Sequence, residues 1–309
     1  MWGGADPAAA ERAIEASLDL GVDWIDTAPA YGCGRSEEIV GRAIRGRRHA
    51  VRIATKCGLR WDRTAGALRF EARDETGRTV RIHHDLRPES LREECEASLR
   101  RLGVEAIDLY QIHWPYAPHP LEDAFAELVR LREQGKLRHL GVSNFGRAEL
   151  ELACEAGAIV SLQPPYNLLD RRIEAELLPW CRAHELGVLA YSSMARGLLT
   201  GAVTRERRFA PTDHRSRNPV FAAEPRRRVL AALEAARPLA ERHGVSLGNL
   251  AVAWVLHQPG ITAAMVGARD ERQARENVRA AGVALTAAEC DELAAIFPEL
   301  PWAPSKPGT

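Results

Sequence analysis

Short apolar runs recur along the chain at residues 22–26, 51–55, 107–112, 139–142, 159–162, 188–191 and 264–266. They are rich in valine, isoleucine and leucine, as expected of strands buried on both faces. Between them the apolar positions change to helical spacing. Residues 7–20 begin at Pro7 and stop at Gly21, and residues 88–102 begin at Pro88 and stop at Gly103. Residues 121–133 and 173–186 likewise end at glycines, Gly135 and Gly187. Proline in a first turn and glycine after a last turn are the expected helix boundaries. Strand and helix in regular alternation predict a parallel sheet covered by helices.

The polar residues that follow the strands narrow the class. Asp26, Lys56, His113, Ser143, Gln163, Tyr191 and Gly267 are separated by 30, 57, 30, 20, 28 and 76 positions. A spacing of roughly 20–30 residues suits one strand–helix unit, and the two long gaps predict loops at about 59–87 and 200–224. Polar residues at the ends of many strands favour a closed (β/α)8 TIM barrel over an open doubly wound sheet. The chain therefore reads as one α/β barrel domain, residues 1–309. The pattern contains seven strands. Extrapolated backwards from Asp26, it puts the end of another strand at about residue −2 to 6, so the expectation is a barrel lacking its N-terminal hairpin and first strand. With seven strands, the runs before Asp26 and Gly267 become sheet edges, and Met1 reads as an internal start.

Composition excludes several function classes. Lysine plus arginine number 42 and aspartate plus glutamate also number 42, so no net charge favours nucleic acid or an anionic membrane. No apolar run approaches the ~18 residues of a membrane span. The six cysteines lie at least 24 positions apart, without metal-ribbon or redox-pair spacing, and read as reduced thiols in a cytoplasmic protein. No His-x-His ends a strand and His83–His84 falls in a loop, so no metal is expected. Nothing in the sequence specifies an oligomeric state.

The candidate chemistry lies at the strand ends. Asp26 ends one strand and Tyr31 follows on its loop, Lys56 ends the next and His113 the next. Carbonyl reduction needs a hydride donor and a proton donor over the same oxygen. Tyr31 could be that proton donor if a cation lowered its pKa from about 10. Lys56 could be the cation, Asp26 its anchor, and His113 a polarising hydrogen-bond donor. Each residue alone also has a bland reading: Asp26 as a helix cap, Lys56 as a surface cation, His113 as a satisfied structural residue, Tyr31 as packing. The four at consecutive strand tops point to a site. Gly32-Cys33-Gly34 imitates a dinucleotide fingerprint, but Glu37 stands where its third glycine belongs, so these glycines read as a turn.

With Asp26-Thr27-Ala28, Tyr31-Gly32, Lys56 and Gln111-Ile112-His113, the chain resembles the aldo-keto reductase superfamily, in its bacterial branch that also resembles potassium-channel β subunits. The resemblance continues through Gly141-Val142-Ser143-Asn144-Phe145, Gln163-Pro164-Pro165-Tyr166-Asn167-Leu168, Tyr191-Ser192-Ser193 and Gly267-Ala268-Arg269, and covers nearly the whole chain from Trp2. It implies reversible, NADPH-dependent reduction of an aldehyde or ketone to an alcohol, with Asp26, Tyr31, Lys56 and His113 as the catalytic tetrad. It also implies that Ser143, Asn144 and Gln163 bind the nicotinamide carboxamide and that Tyr191 stacks on the ring. Ser192, Ser193, Met194, Arg196, Gly197 and Leu198 would follow the pyrophosphate. Gly267, Ala268, Arg269, Gln273, Glu276 and Asn277 would hold the adenosine end. Free N–H groups where a helix opens at Asp270 suit phosphate, and Arg269 suits the 2′-phosphate of NADP, though it also reads as a solvated helix start. Trp2, Trp61, Trp114 and Tyr116 are candidates for a substrate pocket wall, or for simple packing. A small-molecule carbonyl compound is the expected partner. Two other readings stand beside this one: an NADP(H)-binding regulatory subunit with little turnover, and an N-terminally truncated, inactive homologue.

Overall fold

A computed structural model of the chain describes residues 6–74, 77–157, 159–210 and 213–300. Helix α1 (Pro7–Asp19) starts behind Asp6, whose carboxylate accepts from the Ala8 N–H. It leads to strand β1 (Trp24–Asp26), helix α2 (Arg35–Ala43) and strand β2 (Arg52–Cys57). Three further strands follow, β3 (Leu59–Arg60), β4 (Leu68–Arg73) and β5 (Thr79–His84). Strand–helix alternation then resumes with α3 (Pro88–Leu102), β6 (Ile107–Ile112), α4 (Leu121–Glu133), β7 (Leu137–Ser143) and α5 (Arg147–Gly157). Next come β8 (Ser161–Gln163), α6 (Leu177–Ala183), β9 (Gly187–Ala190), α7 (Ala223–Arg242) and α8 (Leu247–Leu256). The order ends with β10 (Ile261–Ala264), α9 (Glu271–Val278) and α10 (Ala287–Ile296).

Seven of the strands form one curled parallel sheet in the order β1-β2-β6-β7-β8-β9-β10. This is a (β/α)8 architecture with a partly truncated barrel. Among the described residues β1 and β10 do not pair. Every residue of both is only half-buried or exposed, whereas β6 buries five of its six. The helical layer does close across this seam. Helix α1 packs on α9 through Ala13 and Ala16 against Ala274, with Ala268 beside them, and methyl-sized side chains let the two backbones approach. Of the stretch where the missing strand is expected to end, about residue −2 to 6, residues 1–5 lie outside the described ones.

Four sequence expectations need correction. The predicted loop at 59–87 is structured: β3, β5 and β4 form an antiparallel sheet. His83–His84 therefore ends strand β5 rather than lying in a loop. Its apolar side, with Leu59, Ile82 and Phe70, packs on Ala30 and Trp114, which lie past the ends of β1 and β6, so the sheet lies over the barrel mouth. The last strand is Ile261–Ala264 rather than 264–266, which leaves Gly267 three residues past its end. The helix expected at 173–186 is shortened to α6, with a separate 3-10 turn at Arg172–Glu174. The loop at 200–224 holds two further short 3-10 turns.

Glu94, on α3, carries a carboxyl group into the layer between helix and sheet. Its Oε2 accepts from the Gly58 N–H at 2.8 Å, and its Oε1 has no partner among the described residues. Burial, opposed by the Gly58 hydrogen bond and Arg60 and reinforced by Glu37 and Asp62, pushes it up to about 8. The folded state thus binds this proton more tightly than the unfolded state. Its contribution to stability is complete below the ordinary value of 4.5 and is lost as pH rises towards 8. A tenfold change in proton affinity is worth about 1.4 kcal/mol. Between pH 5 and 8 the wild-type melting temperature is expected to fall relative to that of Glu94→Gln, by a difference of a few kcal/mol in stability. Parallel melting curves across that range would contradict it.

Candidate active site

The C-terminal ends of β1, β2, β6, β7, β8 and β9 carry the predicted polar residues. Asp26 is the last residue of β1 and lies opposite Ala54 in the register. Lys56, two residues further along β2, shares that face of the sheet. The Lys56 Nζ donates to Asp26 Oδ2 at 2.6 Å and to the Thr27 carbonyl at 2.9 Å. The second carboxylate oxygen of Asp26 accepts from Gln163 Nε2 at 2.8 Å and, at a long 3.5 Å, from Gln111 Nε2. Lys56 is 1% exposed, so the ammonium has exchanged water for the carboxylate and a carbonyl.

Tyr31 sits on the turn after β1. Gly32, Cys33 and Gly34 all have positive φ there, which confirms a turn instead of a dinucleotide loop. At Gly34 a Cβ would come within 2.8 Å of the Arg101 side chain. The turn brings the Tyr31 ring to 5.3 Å from Lys56 Nζ, ring centroid to nitrogen. The His113 imidazole meets Tyr31 edge-on, with centroids 5.8 Å apart. All four residues of the expected tetrad are therefore in one contiguous cluster.

The electrostatics of this cluster differ from the sequence expectation at one point. Burial pushes the Tyr31 phenol up, and Lys56, by charge and hydrogen bond, pulls it down. The net direction is up, because loss of hydration outweighs the cation. The expected lowering of Tyr31 below 10 is not what this arrangement produces. In Lys56 burial pulls down, but Asp26 and Tyr31 together outweigh it and the ammonium is raised. His113 is pushed well below its ordinary value by burial and by the cations Lys56 and Arg69, together with His84, so its imidazole is neutral.

Next to this cluster the side chains of β7, β8 and β9 are tied together. Ser143 Oγ donates to the Gln163 carbonyl at 2.8 Å. Asn144 has φ +63°, which turns its amide so that Nδ2 donates to the His113 carbonyl and to Ser143 Oγ, both at 2.9 Å. The Tyr191 hydroxyl donates to Asn144 Oδ1 at 2.7 Å, fixing a half-buried ring. The next segment holds Ser192, Ala195, Arg196 and Gly197 at positive φ; Ser193 and Leu198 are buried beneath it, and Met194 is half-buried.

At α9, Asp270 caps the helix by accepting from the Gln273 N–H at 2.8 Å, so the N–H groups expected to be free there are partly taken. Gln273 in turn accepts from the Arg269 N–H, and the Arg269 side chain is exposed. Glu276 accepts from Asn249 Nδ2 at 2.9 Å and lies beside Arg279. Asn277 Nδ2 donates to the Gly267 carbonyl at 3.2 Å.

The aromatic candidates part company. Trp114 lies at the mouth beside His113, with the Arg69 guanidinium 4.5 Å above its ring. Tyr116 stacks on His84 at 4.8 Å, and Trp61 is covered by Arg101. Trp2 lies outside the described residues. Arg69 was not singled out from the sequence, and His84 was set aside as part of a loop, because both lie on the antiparallel sheet that the polarity of residues 59–87 concealed. A cleft of about 960 Å³ opens at the opposite, N-terminal end of the strands. In it Arg48 and Arg138 pair with Asp108 and Arg52 with Asp23, and no tetrad residue lines it.

Comparison with known proteins agrees with this fold. The chain is 39% identical over 276 residues to the aldo-keto reductase YhdN of Bacillus subtilis strain 168, covering 88% of this chain and 78% of that one. It is 37% identical over 273 residues to the NADH-specific methylglyoxal reductase of Escherichia coli K12, covering 87% and 81%. Among solved structures, the glycerol dehydrogenase of Gluconobacter oxydans aligns with a TM-score of 0.86 at 40% identity, over 98% of this chain and 90% of that one. With the Aldo/keto reductase family matched over residues 1–297, the chain belongs to that family.

Proposed function

We propose that the chain reduces an aldehyde or ketone to an alcohol with NADPH, Tyr31 giving the proton. The observation that supports this best is the unbroken cluster Asp26–Lys56–Tyr31–His113 across the ends of three neighbouring strands. A buried phenol raised above its ordinary value keeps its proton through neutral pH, as a general acid must. The Lys56 ammonium beside it lowers the cost of releasing that proton to an oxyanion. Asp26 keeps Lys56 charged and stationary. Neutral His113 can donate an N–H to the carbonyl oxygen without giving up a proton.

The residues present fit a nicotinamide dinucleotide. Tyr191, tethered through its hydroxyl, offers a fixed aromatic face beside Ser143 and Asn144. The backbone turn at Ala195–Gly197 and the start of α9 with Arg269 are suited to the phosphates. Bound there, the reduced nicotinamide supplies the hydride. NADPH over NADH is argued from the exposed Arg269 beside the helix start, against the name of the E. coli relative, which is NADH-specific. A charged hydrogen bond to a 2′-phosphate is worth ~1.5–3 kcal/mol. NADPH is thus expected to bind about tenfold or more tightly than NADH, with Arg269→Ala narrowing the gap. Equal dissociation constants in a fluorescence titration of the wild-type chain would refute the preference.

Tyr31→Phe is expected to lower carbonyl reduction by about 10²–10⁴ while leaving NADPH binding nearly unchanged, as read by steady-state NADPH oxidation against a panel of aldehydes, ketones and sugars. Normal turnover in that variant would remove Tyr31 from the role. The pH profile of kcat/KM offers an independent check. Because the acid must be protonated and burial raises the Tyr31 phenol above its ordinary value, reduction is expected to persist through neutrality and decline only in the alkaline range. A decline centred near pH 7 would point to a different proton donor.

A further inference from the structure

Glu37, the residue that breaks the dinucleotide fingerprint, has a place of its own in the fold. It lies in the first turn of α2 and is 0% exposed. Both of its carboxylate oxygens are taken. Oε1 accepts from the Thr55 hydroxyl at 2.6 Å, and Oε2 accepts from Arg101 Nε at 2.7 Å. Thr55 precedes Lys56 on β2, and successive strand residues point to opposite faces. Glu37 therefore grips this strand on one face, while Asp26 holds Lys56 on the other.

The turn that carries Tyr31 is bonded to the same helix. The Gly34 N–H donates to the Pro29 carbonyl at 2.7 Å, and the Ser36 N–H donates to the Tyr31 carbonyl at 3.2 Å. The Ser36 hydroxyl accepts from Thr27 Oγ1 at 2.8 Å. Tyr31 is thus tied through its own backbone to the first turn of α2, where Glu37 is anchored.

Arg101 completes the arrangement from the last turn of α3. Besides Glu37, its guanidinium donates to Ser98 Oγ at 3.3 Å and lies over the Trp61 ring at 5.4 Å. Its stem packs on the turn, since a Cβ at Gly34 would come within 2.8 Å of the Arg101 Cδ. The base of the side chain is fixed as well. A Cβ at Gly41, on α2, would lie 2.7 Å from the Arg101 carbonyl oxygen. One side chain therefore meets the Tyr31 turn, the carboxylate that holds Thr55, and the residue that follows β3.

We propose that Arg101 and Glu37 are positioning residues that hold the Tyr31 turn against β2, so that the phenol ring keeps its place 5.3 Å from Lys56 Nζ. This rests on the reading of Tyr31 as proton donor to a carbonyl. Misplacement by about 1 Å can cost about 100-fold in rate, so modest slack in the turn is enough to register.

The test separates placement from stability. Arg101→Met keeps the stem but leaves the Glu37 carboxylate buried without its cation, and this variant is expected to melt lower. Arg101→Met/Glu37→Gln removes both charges, and the glutamine carbonyl can still accept from Thr55. The double variant is expected to recover most of the melting temperature. Its kcat for carbonyl reduction should nevertheless stay about tenfold or more below wild type, with the Kd of NADPH within about twofold. Arg101→Lys, which returns a cation to Glu37 without the flat group over Trp61, should fall between. Recovery of kcat together with melting temperature in the double variant, or wild-type kcat in Arg101→Met, would overturn the inference and leave Tyr31 as the donor. A loss shared equally by kcat and NADPH binding would overturn it too, because it marks general loosening. If the wild type reduces no carbonyl compound, the reductase reading fails by itself. The crystal structure of the double variant then decides: a Tyr31 ring moved away from Lys56 supports the positioning role, and an unmoved ring overturns it.

Discussion

The buried ion pair between Asp26 and Lys56 is the contact on which the site depends. Removing an ammonium and a carboxylate from water costs several kcal/mol per ion, and only good geometry with further hydrogen bonds recovers it. Here the 2.6 Å contact is completed by the Thr27 carbonyl on one side and by Gln163 on the other. The network therefore joins β1, β2 and β8 across the mouth. Loss of one partner would leave the other charge buried, a penalty of roughly 3–5 kcal/mol. The pair thus sets the register of the strand ends as well as the charge beside Tyr31.

That charge acts against burial, and the outcome differs from residue to residue. In Tyr31 desolvation exceeds the pull of Lys56, so the phenol stays protonated. In His113 both influences act in the same direction, since burial and neighbouring cations each disfavour imidazolium. His84 follows the same logic, pulled to about 4 by burial first and then by Arg69 and His119. One cationic, poorly hydrated mouth therefore keeps two kinds of hydrogen-bond donor neutral, next to an ammonium that remains charged.

Among the described residues β1 and β10 do not pair, and the helical layer and the sheet at the mouth make the contacts around this seam. The strands at the seam, β1 and β10, are half-exposed, but the helices outside them meet through alanines on α1 and α9. At the mouth the antiparallel sheet β3-β5-β4 packs on Ala30 and Trp114 and restrains the loops that carry Tyr31 and follow His113. The cluster of Asp26, Tyr31, Lys56 and His113 sits at the ends of β1, β2 and β6, and only β1 of these borders the seam.

Periodicity determined the alternation of strands and helices, since apolar spacing reports directly which faces each element buries. Helices at Pro88–Leu102 and Leu121–Glu133 begin and end where proline and glycine require. The motif residues likewise named Asp26, Lys56 and His113 at strand ends, which the same periodicity places, and Tyr31 on the loop after the first of them. The direction of the Tyr31 pKa was beyond local pattern, for it is a balance between burial and a charge 30 positions beyond Asp26 along the chain. The same holds for Arg69 and His84. Residues 59–87 are too polar and glycine-interrupted to read as strands, and their pairing is stabilised by contacts to Ala30 and Trp114 on other loops. Only the folded chain brings Arg69 onto Trp114, because the stacking partner and the burial that strips water from the guanidinium both come from elsewhere in the sequence.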